Sequence, residues 1–325
     1  MLAALAWTQL GVFTDPAGLA WWVRTPVYAA TAVVVVGAVG TPPAWWFGLV
    51  RERRWGFSRQ QFSAWAADRT KAIVVEALLT AVALLGLVAL AHALPGWWVV
   101  PAAVAVALVA WLFSFAAPVV LEPLFNRFVP LEDETLNEGV RALAERSGLP
   151  VREVLVQDAS RRTRKANAYV SGLGKTRRIV LADTLLEQAT AAEVRVVVGH
   201  ELGHRGLRHV AFGTLLSMTA AGIATVIVWA LLGTTITNPH RVPLVLLIGL
   251  ALTLVLLPVR SAIARHWERS ADRYALQLTG DGNAYADAMR RLAQSNLSDL
   301  DPPLVFYLLL FTHPTPAERI AAATK

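Results

Sequence analysis

The chain has 325 residues, 55% of them hydrophobic and only 16% charged, with a mean hydropathy of +0.48. Water-soluble domains carry about a quarter charged residues, so this composition is that of a membrane protein, in which the net charge of +7 marks Lys- and Arg-rich cytoplasmic loops rather than a nucleic-acid surface. Cysteine is absent, which excludes disulfides, zinc fingers and iron–sulfur clusters and restricts any metal to histidine and carboxylate ligands.

The first residues lack the positive stretch of a signal peptide. Residues 1–25, with Trp7, Trp21 and Trp22, read as an interfacial lead-in, since Trp favours the headgroup level, with a short extra span near Met1–Phe13 as the alternative. A first clear span covers 26–50, with Pro42-Pro43 expected to kink or end it. A charged segment, 51–71, follows. The second span, 72–93, is apolar apart from Glu76, a carboxylate either functional within the membrane or snorkelling to its surface. The turn Leu94-Pro95-Gly96 leads to a third span, 97–121.

Residues 122–206 are polar enough for a water-exposed domain. An amphipathic helix is predicted over 132–147 from the spacing of Leu136, Val140, Leu143 and Ala144, stopped by Gly148-Leu149-Pro150. Short strands are predicted at 151–156 and 178–181, and helix at 184–204 with a break near Ala189-Thr190. A fourth span, 208–232, and a fifth, 242–259, form a hairpin. The remainder starts as helix, and its apolar run 304–311 is too short to cross a bilayer, which takes about 20 residues. Five spans put 51–71, 122–206 and 261–325 on one side, and their Lys and Arg make that side cytoplasmic.

At the end of the 184–204 helix stands Val196-Val197-Val198-Gly199-His200-Glu201-Leu202-Gly203-His204. Positions i and i+4 share a helical face, so His200 and His204 can present two imidazoles to one metal. Glu201 can then reach an activated water, as in zinc hydrolases. Two ordinary surface histidines would give the same five letters. The hairpin returns the chain to the face it left, where Glu268 and Asp272 lie at i and i+4. Glu268 is therefore expected as third ligand and Asp272 as acceptor for the free N–H of a ligating histidine. His266 and His209 compete as ligands, although Leu207 and Val210 do not fit the extended metzincin pattern. A solvated face paired with Arg265 and Arg269 is the plain alternative for Glu268 and Asp272. Gly174-Lys175-Thr176 ends like a phosphate loop but has Tyr169 where that loop needs glycine, so nucleotide binding is not expected. The basic run 161–165 has no interleaved aromatic residues, so no nucleic-acid partner is expected either.

With these motifs assembled, the chain resembles the zinc CAAX prenyl endopeptidases of type 1. The resemblance runs from about Trp45 to Ile320. It includes Arg51-Glu52-Arg53-Arg54-Trp55-Gly56-Phe57 with Asp68 and Lys71, and Leu124 through Leu131. It also includes Asp158 through Arg162, Asn167-Ala168-Tyr169, Arg178 through Leu186, His200–His204, Arg265–Asp272, and Thr312-His313-Pro314 with Arg319. It implies one Zn2+ per chain on His200, His204 and Glu268, with Glu201 as general base. Asn167 and Ala168 fall on an edge strand that holds the substrate backbone, His313 falls near the developing oxyanion, and Arg319 in the same substrate site. Eukaryotic members have seven spans around a large chamber; five or six are counted here.

The expected fold is mostly α: a polytopic membrane protein of five to six spans with a small α+β metallopeptidase domain on the cytoplasmic side. Its expected parts are a membrane region (1–121), a soluble part with edge strand and His-Glu helix (122–206), a transmembrane hairpin (207–260) and a C-terminal catalytic part (261–325). The expected activity is zinc-dependent hydrolysis of membrane-associated or lipidated peptides by a prokaryotic plasma-membrane enzyme, with peptide and bilayer as its partners. A quality-control protease of the same superfamily, or a non-enzymatic scaffold or transporter with a structural metal, are the alternatives. Glu201 speaks against the last, because a structural site needs no acid–base residue.

Overall fold

The computed structural model describes residues 19–116, 122–172 and 174–323. They form two units. One comprises, of these residues, 19–52, 61–112 and 215–255; the other comprises 53–60, 113–214 and 256–323.

The first unit is built from apolar helices. Helix α1 (Trp21–Trp45) does not end at the proline pair. The Trp46 N–H reaches back to the carbonyls of Pro42 and Pro43, and the chain continues through a π-helical turn, Trp46–Val50, to Arg54. The prolines remove two ladder donors without ending the helix, and in the wider turn beyond them the Arg51 N–H reaches the Trp46 carbonyl five residues back. Helix α2 is Phe62–Ala93 and α3 is Val99–Ala116. Tyr28, Ala29 and Ala32 pack with Ala81 and Leu84, and Trp98 and Ala102 with Ala91, Val228 and Leu232. Glu76 is exposed on α2.

Four helical stretches, Trp21–Arg54, Phe62–Ala93, His209–Thr237 and Val242–Thr279, are long and apolar enough to cross a membrane, and Val99–Ser114 is a shorter apolar helix. Only 11–22% of their most apolar windows is buried. Val39, Leu78, Leu231 and Val255 are each more than 60% exposed, an outer surface suited to lipid rather than water. Thr31, Thr219 and Thr253 turn their hydroxyls onto the carbonyls four residues back, satisfying polar groups that hydrocarbon would leave unpaired. The lead-in tryptophans Trp21 and Trp22 lie in α1, whereas Trp7 and the short extra span lie outside the described residues.

The second unit is a small α+β body. Its sheet has the order β1 (Phe128–Pro130), β2 (Glu153–Gln157), β4 (Arg178–Ala182), β3 (Ala168–Ser171), with β2 and β4 parallel and both outer pairs antiparallel. Strand β3 is thus an edge. Helix α4 (Glu134–Arg146) is capped by Asp133, whose carboxylate accepts the Leu136 N–H at 2.9 Å. It buries the predicted stripe of Leu136, Val140, Leu143 and Ala144 against Val154, Ile179 and Leu181.

A short helix α5 (Asp183–Gln188) precedes the break at Ala189-Thr190. Helix α6 (Ala191–Gly206) then opens on a capping box between Thr190 and Glu193. It turns Val194, Val198 and Leu202 to the sheet and Val196 to Ala275, Tyr285 and Met289, so its valines are covered on two sides. Helix α7 (His209–Leu232) follows at once, and α8 (Val242–Thr279) runs unbroken for 38 residues past Pro258. The polar sequence after 259 changes the helix's surroundings, not its ladder. Three helices finish the chain: α9 (Gly282–Ser295), the seven-residue α10 (Leu304–Leu310) and α11 (Pro316–Ala323). The basic run is pinned to its own unit, Arg161 to the Phe125 carbonyl and Arg162 to the Asn126 side chain.

Candidate metal centre

Helix α6 meets the second half of α8 at its glycines. A Cβ on Gly203 would lie 3.1 Å from the Ala271 carbonyl oxygen, and one on Gly199 3.3 Å from the Thr279 methyl. This close approach brings Glu268 beside the two histidines, as the hairpin topology predicts.

His200 Nε2 and His204 Nε2 are 3.1 Å apart. Glu268 Oε2 is 3.3 Å from the first and Oε1 3.2 Å from the second. Bonds of about 2.0–2.1 Å at tetrahedral angles place ligand atoms roughly 3.3–3.4 Å apart, close to all three separations. Glu268 is buried and its Oε2 has no hydrogen-bond partner, a costly state for a carboxylate unless a cation completes it. Two imidazoles, a carboxylate and no thiolate are the ligand set of a catalytic zinc. The three residues fit the ion.

Behind the three candidate ligand atoms, His200 Nδ1 is 2.8 Å from Asp272 Oδ1. Arg319 forks onto the same carboxylate, Nη2 to Oδ1 at 2.6 Å and Nε to Oδ2 at 3.0 Å. Burial by itself would lower the His200 ring's affinity for protons, but the hydrogen bonds to Asp272 and Glu268 push its pKa up to about 9. Arg319 is held above its ordinary range by Asp272 against the opposing effect of burial. Burial raises the Glu201 carboxyl, and the nearby imidazoles oppose that rise.

A cleft of about 420 Å³ opens over these groups, bordered by Asn167, Ala168, His200, Glu201, Glu268, His313 and Arg319, with Leu185, Val197, Met289 and Leu292 as an apolar wall. All nine sequence-predicted site residues are gathered here except Asp272 and His204, which stand behind it. His313 Nε2 is 3.5 Å from Glu268 Oε2. Arg319 reaches the cleft but directs its fork at Asp272.

The edge strand has a defined polarity. The Asn167 carbonyl accepts from Ala182 N–H at 2.9 Å, so it faces β4. Alternation along an antiparallel strand turns Ala168 and Val170 outward, and Arg205 of α6 takes the Val170 carbonyl at 2.6 Å. The outward backbone of Ala168 is left facing the cleft.

Two features escaped sequence reasoning. The glycine spacing of α6 was visible but carries meaning only once α8 is known to pack there. His209, weighed as a rival ligand, turns its Nδ1 to His204 Nδ1 at 3.1 Å, on the side away from the ligand cluster.

Residues 130–325 match the model of peptidase family M48, and residues 4–127 match that of the CAAX prenyl protease N-terminal region, described as five membrane helices. In that second stretch the described residues hold α1, α2 and α3. A Bacillus subtilis protein described as the uncharacterized metalloprotease YhfN is 29% identical over 298 residues, 88% of this chain and 70% of its own. CAAX prenyl protease 1 of Saccharomyces cerevisiae is 28% identical over 317 residues, 87% of this chain and 68% of its own. The crystal structure of S. mikatae Ste24p superposes with a TM-score of 0.83 at 24% identity, covering 99% of this chain and 80% of that one, and so shares the fold. The chain belongs to peptidase family M48, and it is an integral, multi-pass membrane metallopeptidase that uses zinc.

Proposed function

We propose that the enzyme cuts membrane-associated or lipidated CAAX-type substrates at the cytoplasmic face of a prokaryotic plasma membrane. The observation that carries this reading is the meeting of three candidate ligands at tetrahedral spacing with Glu201 in a cleft bordered by the edge strand β3. His200, His204 and Glu268 would hold the zinc. Bound there, zinc supplies Lewis-acid activation of water and of the scissile carbonyl.

The chain's own groups do the rest. A peptide laid along β3 can pair with the outward backbone of Ala168, as in strand addition, beside the Asn167 side chain. The apolar wall of Leu185, Val197, Met289 and Leu292 suits aliphatic side chains. Glu201, with a carboxyl raised by burial, takes the proton of the attacking water and passes it to the leaving amine. The Thr312 hydroxyl lies 2.9 Å from His313 Nδ1. Donating there, it leaves Nε2–H as a donor for charge developing on the carbonyl oxygen. Arg319 acts through Asp272, holding the acceptor that orients His200.

Glu268 follows Val259 by 9 residues on α8, about 14 Å of helix. That spacing sets the ligand near the end of the apolar segment, within reach of a substrate anchored in the bilayer. A farnesylated CAAX peptide and its unprenylated twin, offered to the purified enzyme in nanodiscs, test the substrate class. The prenylated peptide is expected to be cut at least tenfold faster. Equal rates on both peptides contradict the CAAX reading and favour a quality-control protease.

A further inference from the structure

We propose that His209 is a positioning residue for the metal ligand His204, fixing its tautomer through a neutral relay that ends on Ser270. Hydrogen-bond inventory sets every proton in it. Ser270 donates its hydroxyl proton to the Trp267 carbonyl at 2.8 Å, so its oxygen faces His209 Nε2, 3.2 Å away, as an acceptor. His209 Nε2 therefore carries the ring's proton. A neutral imidazole has one N–H, which leaves His209 Nδ1 bare to accept the Nδ1–H of His204 at 3.1 Å. With its proton held on Nδ1, His204 keeps the lone pair of Nε2 for the ion that it would share with His200 Nε2 and the Glu268 carboxylate.

The backbone is shaped for this contact. On an uninterrupted helix, residues five apart point about 140° away from each other, and His209 could not touch His204. The break between α6 and α7 contains Arg208 at φ 59°, one of two described non-glycine residues at positive φ. A left-handed backbone there is strained for a side chain with a Cβ. There the chain turns so that His209 folds back on the end of α6. His209 is only 7% exposed and stacks on Trp267 at 5.3 Å with an interplanar angle of 8°. Trp267 directly precedes the ligand Glu268. One ring thus orients His204 and braces the residue next to Glu268. The two ligand histidines are backed differently, His200 by a carboxylate and His204 by a neutral ring.

The inference rests on the zinc reading of the site, and its test reads metal affinity rather than cleavage. Zinc dissociation constants from chelator competition, and the visible spectrum of the Co2+-loaded protein, would be compared for wild type, His209→Phe and His209→Gln. Phenylalanine keeps the flat ring over Trp267 but cannot accept a proton; glutamine loses the ring but keeps an acceptor oxygen. The expected result is a loss of roughly 10–100-fold in zinc affinity for Phe, an altered Co2+ spectrum, and recovery of most of the loss with Gln. Wild-type affinity in the Phe variant overturns the proposal, as does a Gln variant no better than Phe, which would make the role one of packing. A wild-type protein that binds no zinc overturns the ligand assignment itself.

Discussion

Asp272 accepts from His200 on one side and receives both arms of Arg319 on the other, so a single buried carboxylate ties α11 to a proposed metal ligand. Removing it leaves Arg319 buried without its partner, a defect of about 3–5 kcal/mol, and frees the His200 ring. Asp272→Ala is expected to lower the thermal midpoint in detergent and to weaken zinc by roughly 10–100-fold in chelator competition. Unchanged affinity would show that His200 needs no orienting partner. Glu268 and Asp272 were legible in the sequence because a four-residue interval on a helix has one geometric meaning and the hairpin returns them to the same side. His209 was not, because a five-residue interval after His204 points away on any regular helix. Only the backbone break at Arg208 reverses that.

At the scale of elements, α6 carries the account, since its start, its packing face and its end each fix part of the site. Its first turn holds the buried carboxylate of Glu193, which accepts the Thr190 N–H at 2.6 Å and pairs with Arg291 at 3.0 Å. Burial would raise this carboxyl, but the Thr190 backbone and Arg291 hold it below its ordinary value of 4.5. The folded state therefore favours the ionised form. The stabilisation is present above the unfolded pKa and is lost as pH falls through the lower folded value. Wild type should lose thermal stability as the pH drops below about 4.5, and Glu193→Gln should lack that part of the acid dependence while starting less stable at neutral pH. Parallel acid slopes for the two proteins would contradict the linkage.

The packing face makes a second demand. Gly203→Val must push α6 off the Ala271 backbone, which moves the histidines from Glu268. Zinc content after dialysis should fall even where the variant still purifies as a folded monodisperse protein; full zinc occupancy would show that the helices can part without cost to the site. The long helices, the capping break and the α4 stripe were readable from periodicity. Strand β1, three residues long and ending in proline, offers no alternation to read, and β3 was placed only through the family's edge strand. The sheet pairs these short segments from either side of longer neighbours, which supplies the register that their own sequences do not.

For the whole molecule, apolar spans with 11–22% burial in their windows and a unit bearing a metal site together make a protease that works at a membrane. The proposed topology predicts opposite sides for the 174–176 turn and the 94–96 turn. The chain has no cysteine, so Lys175→Cys and Gly96→Cys each introduce a unique thiol. In intact cells a membrane-impermeant maleimide should label the cysteine at 96 and spare the one at 175 until the membrane is opened; the reverse pattern would invert the assigned orientation. The central claim, that His200, His204 and Glu268 hold a zinc served by Glu201, is tested most directly by zinc stoichiometry and peptide cleavage measured on the same preparations of wild type and Glu201→Gln. One zinc per chain is expected in both, with cleavage of a farnesylated CAAX peptide reduced by at least about 100-fold in the variant. A Glu201→Gln enzyme that binds zinc and still cleaves at the wild-type rate would contradict the account.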